Sequence, residues 1–478
     1  MRSRKEQVQA HRFVTHRLVS ALLVGDPEST ETPMRRIGMS VFGSVMVMAI
    51  IAAIFGVYGI FKPGGGKPEA GTLIIEEETG VLYLWAALDN PNEASLYPVL
   101  NYASARLILN QAELKPVSMS QNSLKTLSRG LPLGIPDAPP DLPMADNLLQ
   151  DAAPWQVCSS TPRPNSGNLI TQVAVDNLPG GTQVSGQAML VNVDGQDSLT
   201  YLLWNERRMR IESLAMLALG ISATPTPVTA KVIESFQAGP DLRKPDIPNE
   251  GQPATKPVPS SPSNIGTVYI AAGAYYVLTD GGLVPIGQVT AKLITDADPI
   301  SITPTDANAA LATSGTIEPE GFPQLVPTLR DLSGPHPALC ATYDAAAEHP
   351  SVKLVVYDST PEQLVVPDNT QLIDGATTGL AERAVLPGGN GVLAQEAPLP
   401  GATSGQTIYL VNQSGTKYGL LASDSCNPKD ALGYGKVTPV LIPGSILSLL
   451  PSGVTLSQPA ALQKVSDIGS GASPPPAN

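Results

Sequence analysis

Charge is scarce in this 478-residue chain: 15% of residues are Asp, Glu, Lys or Arg, and only 5% are aromatic. That leaves little material for long solvated helices, and 47 prolines with 43 glycines argue instead for many short elements joined by turns. Basic residues are the scarcer sign, 29 against 42 acidic ones, for a net charge of −13. An acidic bulk argues against nucleic-acid binding, which needs a basic surface to neutralise phosphates. Of four histidines, only His336 and His349 lie beyond the N-terminal region, and each precedes a proline that holds it in extended backbone. No G-x-S-x-G or H-E-x-x-H pattern accompanies them, so a triad with Asp331 or Asp344 has little support. A phosphate loop is missing too. "GGGKP" (64–68) has Pro68, and "GYGKV" (433–437) has Val437, where a Ser or Thr must hold Mg²⁺. Lys67 and Lys436 therefore read as solvated surface.

Long apolar runs are equally rare, with one exception. Residues 37–61 contain no charge and are flanked by Arg35 and Arg36 before and Lys62 after. As a helix this run reaches about 37 Å, enough to cross a hydrocarbon core of about 30 Å with some tilt. Its twelve Ile, Val and Phe residues contribute roughly −4 to −7 kcal/mol towards insertion, which its four glycines, two serines and one tyrosine offset only in part. A cleavable signal has a short basic region, an apolar run of about 7–15 residues and an A-x-A-like site; here the leading region is too long, the run is too long and no good site follows. The run therefore reads as a permanent anchor. Residues 1–36 carry seven basic and four acidic residues, a net of +3, which leaves −16 on the remainder. The positive-inside rule then places the N-terminus in the cytoplasm and residues 62–478 outside, as a single-pass protein of the plasma membrane. Ser40 and Ser44, and Ala52 and Gly56, are small residues four apart. They either let another helix approach closely or simply face lipid.

Ahead of the anchor, "QVQAHRFVTHRLVSALL" (7–23) sets Val14, Leu18, Ala21 and Leu22 on one helical stripe, with Arg12, His16 and Arg17 elsewhere on the surface. Such a basic helix either lies on the acidic inner leaflet or docks against a partner's cytoplasmic domain, with Arg12, Phe13, Arg17 and Leu18 as the docking candidates. "GDPEST" (25–30) ends it.

Four times in the external region a short apolar segment, a polar turn and a second short segment recur. The first pair is "VLYLW" and "SLYPVLN"; "YLLWNERRMRIE", "YYVLTDGGLVPI" and "YLVNQSGTKYGL" follow as hairpins, the last two turning at Asp280-Gly281 and Ser414-Gly415. After the second and fourth, "ALGISATPTPVTAKVIESF" and "ALGYGKVTPVLIPGSILSL" share A-L-G, with Ile233 and Ile446 each thirteen residues after the glycine and Phe236 and Leu449 each sixteen after it. Between these units, "LITQVAVDNL" near Cys158 and "VKLVVYD" near Cys340 read as strands that pair in one central sheet. The expected fold is α+β: a single N-terminal transmembrane helix, then an elongated extracytoplasmic domain of four degenerate hairpin/helix repeats around a central sheet. In chain order the expected segments are a cytoplasmic helix (1–36), the anchor (37–61), a linker with the first repeat (62–150), a first stretch of the central core (151–200), the second repeat with a proline-rich extended connector (201–265), the third repeat (266–335), a second stretch of the central core (336–405), the fourth repeat (406–465) and a disordered tail (466–478).

The N-terminal pattern Q-[VL]-x-A-x-R-F-x-x-x-R-L-x-x-A-L, carried by Gln7, Val8, Ala10, Arg12, Phe13, Arg17, Leu18, Ala21 and Leu22, resembles the EccB family. These are single-pass inner-membrane components of type VII (ESX) secretion in actinobacteria. "LYPVLNYASARLIL" (96–109), "GLPLGIPDAP" (130–139) and the last two hairpins extend the resemblance over most of the chain. It implies a structural subunit that scaffolds the secretion channel, with EccC, an ATPase, EccD, EccE and further copies of itself around a six-fold arrangement of dimers. It also implies a Cys158–Cys340 disulfide, which closes a 182-residue loop worth at most about 5 kcal/mol of chain entropy. Cys426 departs from the family pattern and is left as a free thiol or an intermolecular link. Some relatives are described as ATPases, so a nucleotide hydrolase using ATP is one alternative. A second is an anchored module that binds envelope polymers. The expected catalytic, metal and cofactor sets are otherwise empty.

Overall fold

The computed structural model describes residues 4–24, 33–61, 68–149, 153–163, 166–259, 261–347, 350–397 and 407–465. Two helices open the chain, Arg4–Val24 and Pro33–Phe61. The second begins on a proline, whose missing N–H and fixed φ suit a first helical turn. The "GDPEST" stop and the 466–478 tail lie outside the described residues.

Beyond the helices the described residues form five sheets in two compact units. One unit comprises the described residues of Met1–Tyr97 and Lys115–Gly130, and it contains the first sheet. There Leu82–Ala86 lies between Ser95–Pro98 and Thr72–Glu76, and Val117–Met119 pairs in parallel with Thr72–Glu76. Ile74, Tyr83, Trp85, Leu96 and Leu124 make its core.

The other unit takes in Pro98–Leu114 and the described residues of Leu131–Asn478. Its third sheet shows the same plan clearly. Val268–Ala271, Ala274–Thr279 and Gly282–Ile286 form an antiparallel meander; helix Gln288–Ile294 follows, and Ile300–Ser301 returns parallel to the first strand. The fourth sheet repeats this order with Val392–Glu396, Ile408–Val411, Lys417–Leu420 and the returning Val440–Ile442. In the second, Met189–Val193, Gln196–Trp204, Arg207–Arg210 and the returning Thr226–Val228 do so, and a further parallel strand, Gln237–Ala238, is added at the far edge.

Two expected boundaries move. Met189–Val193 and Val392–Glu396, assigned above to the central core, open the second and fourth sheets instead. Both lie inside their sheets with apolar neighbours on two sides, so they lack the alternation that would separate them from a core strand. The proline-rich connector is corrected as well. Leu242, Ile247, Val258 and Ile265 in it are 1–4% exposed, and the last three join the third sheet's core. Proline removes donors without preventing burial, so the segment wraps the sheet instead of spanning a gap.

The central sheet runs Arg383–Val385, Ile170–Val175, Trp155–Ser160, Ala338–Tyr343, Val352–Tyr357 and Thr182–Gln183 in that order. Trp155–Ser160 and Ile170–Val175 are buried throughout. On one face Trp155, Val157, Val173 and Leu339 pack with Val191 and Leu203 of the second sheet and Ala394 and Val411 of the fourth. Helices Ala230–Ser235 and Gly444–Leu447, which follow the second and fourth sheets, touch each other there.

Candidate functional site

The helix Arg4–Val24 leaves its side chains largely uncovered. Phe13 is 67% and Leu18 58% exposed, and Arg12 is exposed beside them. In the next helix Gly38–Gly56 is long and apolar enough to cross a membrane, with a mean hydropathy of 2.2 and none of it buried. Ser40, Ser44, Ala52 and Gly56 all stand exposed on it. The Ser44 hydroxyl donates to the Val41 carbonyl at 2.9 Å, and a Cβ added at Gly56 would meet nothing within 4 Å. Apolar residues uncovered over this length need another apolar environment, and a bilayer or partner helices supply it.

At the centre of the body, Trp155–Ser160 and Ala338–Tyr343 run antiparallel with Cys158 directly opposite Cys340, and a disulfide joins them. This is the face of the central sheet away from Trp155, where Ala174, Tyr357 and Leu364 surround the bridge. Two buried glutamines flank it. The Gln156 carbonyl accepts from the Tyr357 hydroxyl at 2.8 Å and from Thr342 at 3.2 Å, and its amide donates to the Asp176 carbonyl at 3.0 Å. Gln172 donates to the Leu364 carbonyl at 2.7 Å and accepts from Arg383 at 3.1 Å. Both amides are thus satisfied without solvent, as burial requires. Burial also lowers the Arg383 pKa and raises that of Tyr357.

Cys426 is 3% exposed, and its thiol lies 3.8 Å from the Leu107 carbonyl. Burial pushes the thiol pKa up. A buried, protonated thiol cannot reach a second chain, so the intermolecular alternative gives way to a free thiol. His336 is pinned through its backbone, its carbonyl accepting from the Thr360 N–H at 2.7 Å. Among the described residues its ring makes no hydrogen bond to Asp331 or Asp344. His349 and Lys67 lie outside those residues. Lys436 is exposed in a loop that leads into strand Val440–Ile442. A phosphate loop instead opens onto a helix whose N-terminal N–H groups receive the phosphates, so this stretch cannot act as one.

The second sheet carries a polar groove of about 450 Å³ that no sequence motif announces, lined by Tyr201, Arg208, Arg210, Glu234, Ala238 and Asp241. Its only trace was "RRMR" (207–210), three basic residues within four in an acidic domain. Nearby, helix Ser213–Leu219 turns Leu214 and Leu217 outward, 80% and 77% exposed.

The apolar helix and the sheet-rich body both fall within the match to one known family, described as "Type VII secretion system ESX-1, transport TM domain B", which covers residues 2–469. The chain belongs to the EccB family. It is 28% identical over 481 residues to the protein named ESX-3 secretion system ATPase EccB3 of Mycolicibacterium smegmatis, covering 96% of this chain and 90% of the relative. The ESX-5 secretion system ATPase EccB5 of Mycobacterium tuberculosis is 25% identical over 490 residues, covering 96% and 93%. Among solved structures, a chain of an intact ESX-5 inner membrane complex overlays all of this EccB chain and 97% of its own with a TM-score of 0.66 at 22% identity, which shows a shared fold. The EccB3 dimer from the ESX-3 core complex overlays 82% of this chain and 100% of its own, with a TM-score of 0.63 at 25% identity.

Proposed function

We infer that this EccB chain is a non-catalytic structural subunit of a type VII (ESX) secretion complex, scaffolding the channel and stabilising the assembly through its extracytoplasmic body. The observation that carries this reading is the extent of the family match, which runs through both the uncovered helix and the folded body. Arg35, Arg36 and the earlier basic residues favour a cytoplasmic N-terminus, and the net −16 of the rest favours the outside. Partners on this reading are the EccC ATPase, EccD, EccE and further copies of this chain in a hexameric arrangement, with lipid around the helix. Self-association is supported by a relative solved as a dimer and by the outward Leu214 and Leu217. Ser40, Ser44, Ala52 and Gly56 would meet neighbouring helices, and Arg12, Phe13, Arg17 and Leu18 a cytoplasmic partner. The four small sheets, with their common strand order, read as four copies of one repeat.

A hydrolase reading rests on the word ATPase in the relatives' names. Against it stand the two failed glycine-lysine stretches and the strand that follows Lys436. ATP turnover that follows the purified protein through every column and survives loss of Lys67 and Lys436 would favour the hydrolase. For the scaffold, the test is a pull-down from native membranes in mild detergent followed by mass spectrometry. Multi-span partners and a motor ATPase are the expected companions, and recovery of this chain alone would overturn the assignment.

A further inference from the structure

The last strand of the second sheet, Gln237–Ala238, stands at the sheet's outer edge with both residues exposed. It pairs in parallel with Arg207–Arg210 in the register Arg208↔Ala238, and the Gly239 N–H donates to the Arg208 carbonyl at 2.8 Å. In a parallel ladder those bonds pass to the residues on either side of Ala238, so its own N–H and C=O point outward. An uncovered edge of this kind is a template for another extended chain.

The side chains beside that edge select the chain it takes. Arg210 stands opposite Tyr201, and Arg208 opposite Leu203. The two arginines therefore share a face, about 7 Å apart along the strand. They line the 450 Å³ groove with Ala238, and a second groove of about 820 Å³ shares Asp241 with the first and adds Arg243 and Phe322. Among the described residues none of these three guanidiniums has a carboxylate within ion-pair distance; Arg208 donates only to the Ile233 carbonyl, at 3.4 Å. Unpaired guanidiniums are spare forks for carboxylates, which they bind in bidentate fashion. Glu234 and Asp241 line the first groove together with Arg208 and Arg210. Their charge repels acidic residues that arrive out of register, which narrows the choice of sequence.

We propose that this edge and groove dock an extended acidic polypeptide, its backbone pairing with Ala238 and its carboxylates meeting Arg208, Arg210 and Arg243. A polypeptide suits the site better than an anionic sugar polymer, because the edge offers a backbone donor and acceptor in strand register. The proposal needs only the folded body and stands whether or not the secretion assembly is recovered.

The test uses the full chain in detergent micelles and a fluorescent peptide of alternating Glu and Val. Controls are its Lys counterpart, a version N-methylated on alternate residues, and oligogalacturonate. Expected are saturable binding of the Glu peptide and a loss of about tenfold or more in Arg210→Glu with Arg243→Glu, each tenfold being one broken charge-assisted contact in scale. Both side chains are exposed, so unchanged thermal unfolding is expected to show that the variant is folded. N-methylation should weaken binding comparably. Equal affinity for the Lys peptide, indifference to N-methylation, or oligogalacturonate binding as tightly as the peptide would each overturn the proposal.

Discussion

The central sheet joins segments far apart in the chain, with Cys158 bonded to Cys340 across a separation of 182 residues. In the third sheet, every side chain of the two clusters on its faces falls within residues 247–317. The first core forms only when distant strands meet, and closing such loops costs chain entropy that the covalent bridge reduces. The second draws on neighbours in sequence, and its local devices are correspondingly modest. The Tyr269 hydroxyl donates to the Pro262 carbonyl, Lys256 donates to the Leu311 carbonyl at 2.5 Å, and the Asp280 carboxylate accepts from the Thr255 hydroxyl at 2.7 Å and its N–H at 3.0 Å. Long-range assembly needs a large apolar core and a bridge, whereas a local one is secured by a wrapped segment and a capped turn.

That contrast can be broken most forcefully at Trp155, which is 1% exposed in the apolar core. Trp155→Ala is expected to cost about 3–5 kcal/mol in denaturant unfolding of the body. Replacing Cys158 and Cys340 together by Ala is expected to cost about 2–5 kcal/mol. Hydrogen exchange should then rise in the central strands while Val268–Ala271 and Ala274–Thr279 keep their protection; equal loss in both sheets would erase the distinction. A smaller effect belongs to Val258→Ala, where the wrapped segment loses a side chain that is 2% exposed. About 2 kcal/mol is expected, read as local exchange in the third sheet alone. Least of all is Asp280→Asn. The Thr255 hydroxyl, then its N–H, hold the Asp280 carboxyl below the usual carboxylate range. A depressed folded-state pKa means stability that is present above the ordinary carboxylate pKa of about 3.9 and lost as pH falls through the folded value. The variant should therefore lose this small contribution at pH 7, converge with the unsubstituted chain as pH falls through the depressed folded value, and so show a flatter acid limb in the third sheet's unfolding below about pH 4.

Several elements were legible from residues alone. The hairpins at "YYVLTDGGLVPI" and "YLVNQSGTKYGL" formed as spaced, because an apolar run on each side of a glycine turn leaves few other pairings. Positive φ falls at Gly415, where an added Cβ would stand 2.0 Å from that of Ala384, and at Gly282 rather than Gly281. The first and returning strands of the four small sheets were not legible. Ile300–Ser301 and Thr226–Val228 are two and three residues long and carry no period at all. Likewise the prolines between 240 and 262 spelled a spacer, because composition reports missing donors and not where Ile247 and Val258 will pack. The groove arginines left only a cluster in "RRMR", since the partners that define the site come from helix Ala230–Ser235 and from the segment after Gln237–Ala238.

By itself the sequence determined the apolar helix, the acidic bulk, the hairpins and the kinship with EccB, because hydropathy, charge and turn chemistry act over a few residues. Only the tertiary structure decided that Ile233 and Ile446, thirteen residues past their respective glycines, meet in one core with Phe236 and Leu449. It also decided that Cys426 is buried and that, among the described residues, Arg208, Arg210 and Arg243 line grooves beside an open strand edge with no carboxylate within ion-pair distance. Those outcomes depend on which distant segments share space, and burial, pairing and solvent access follow from that neighbourhood.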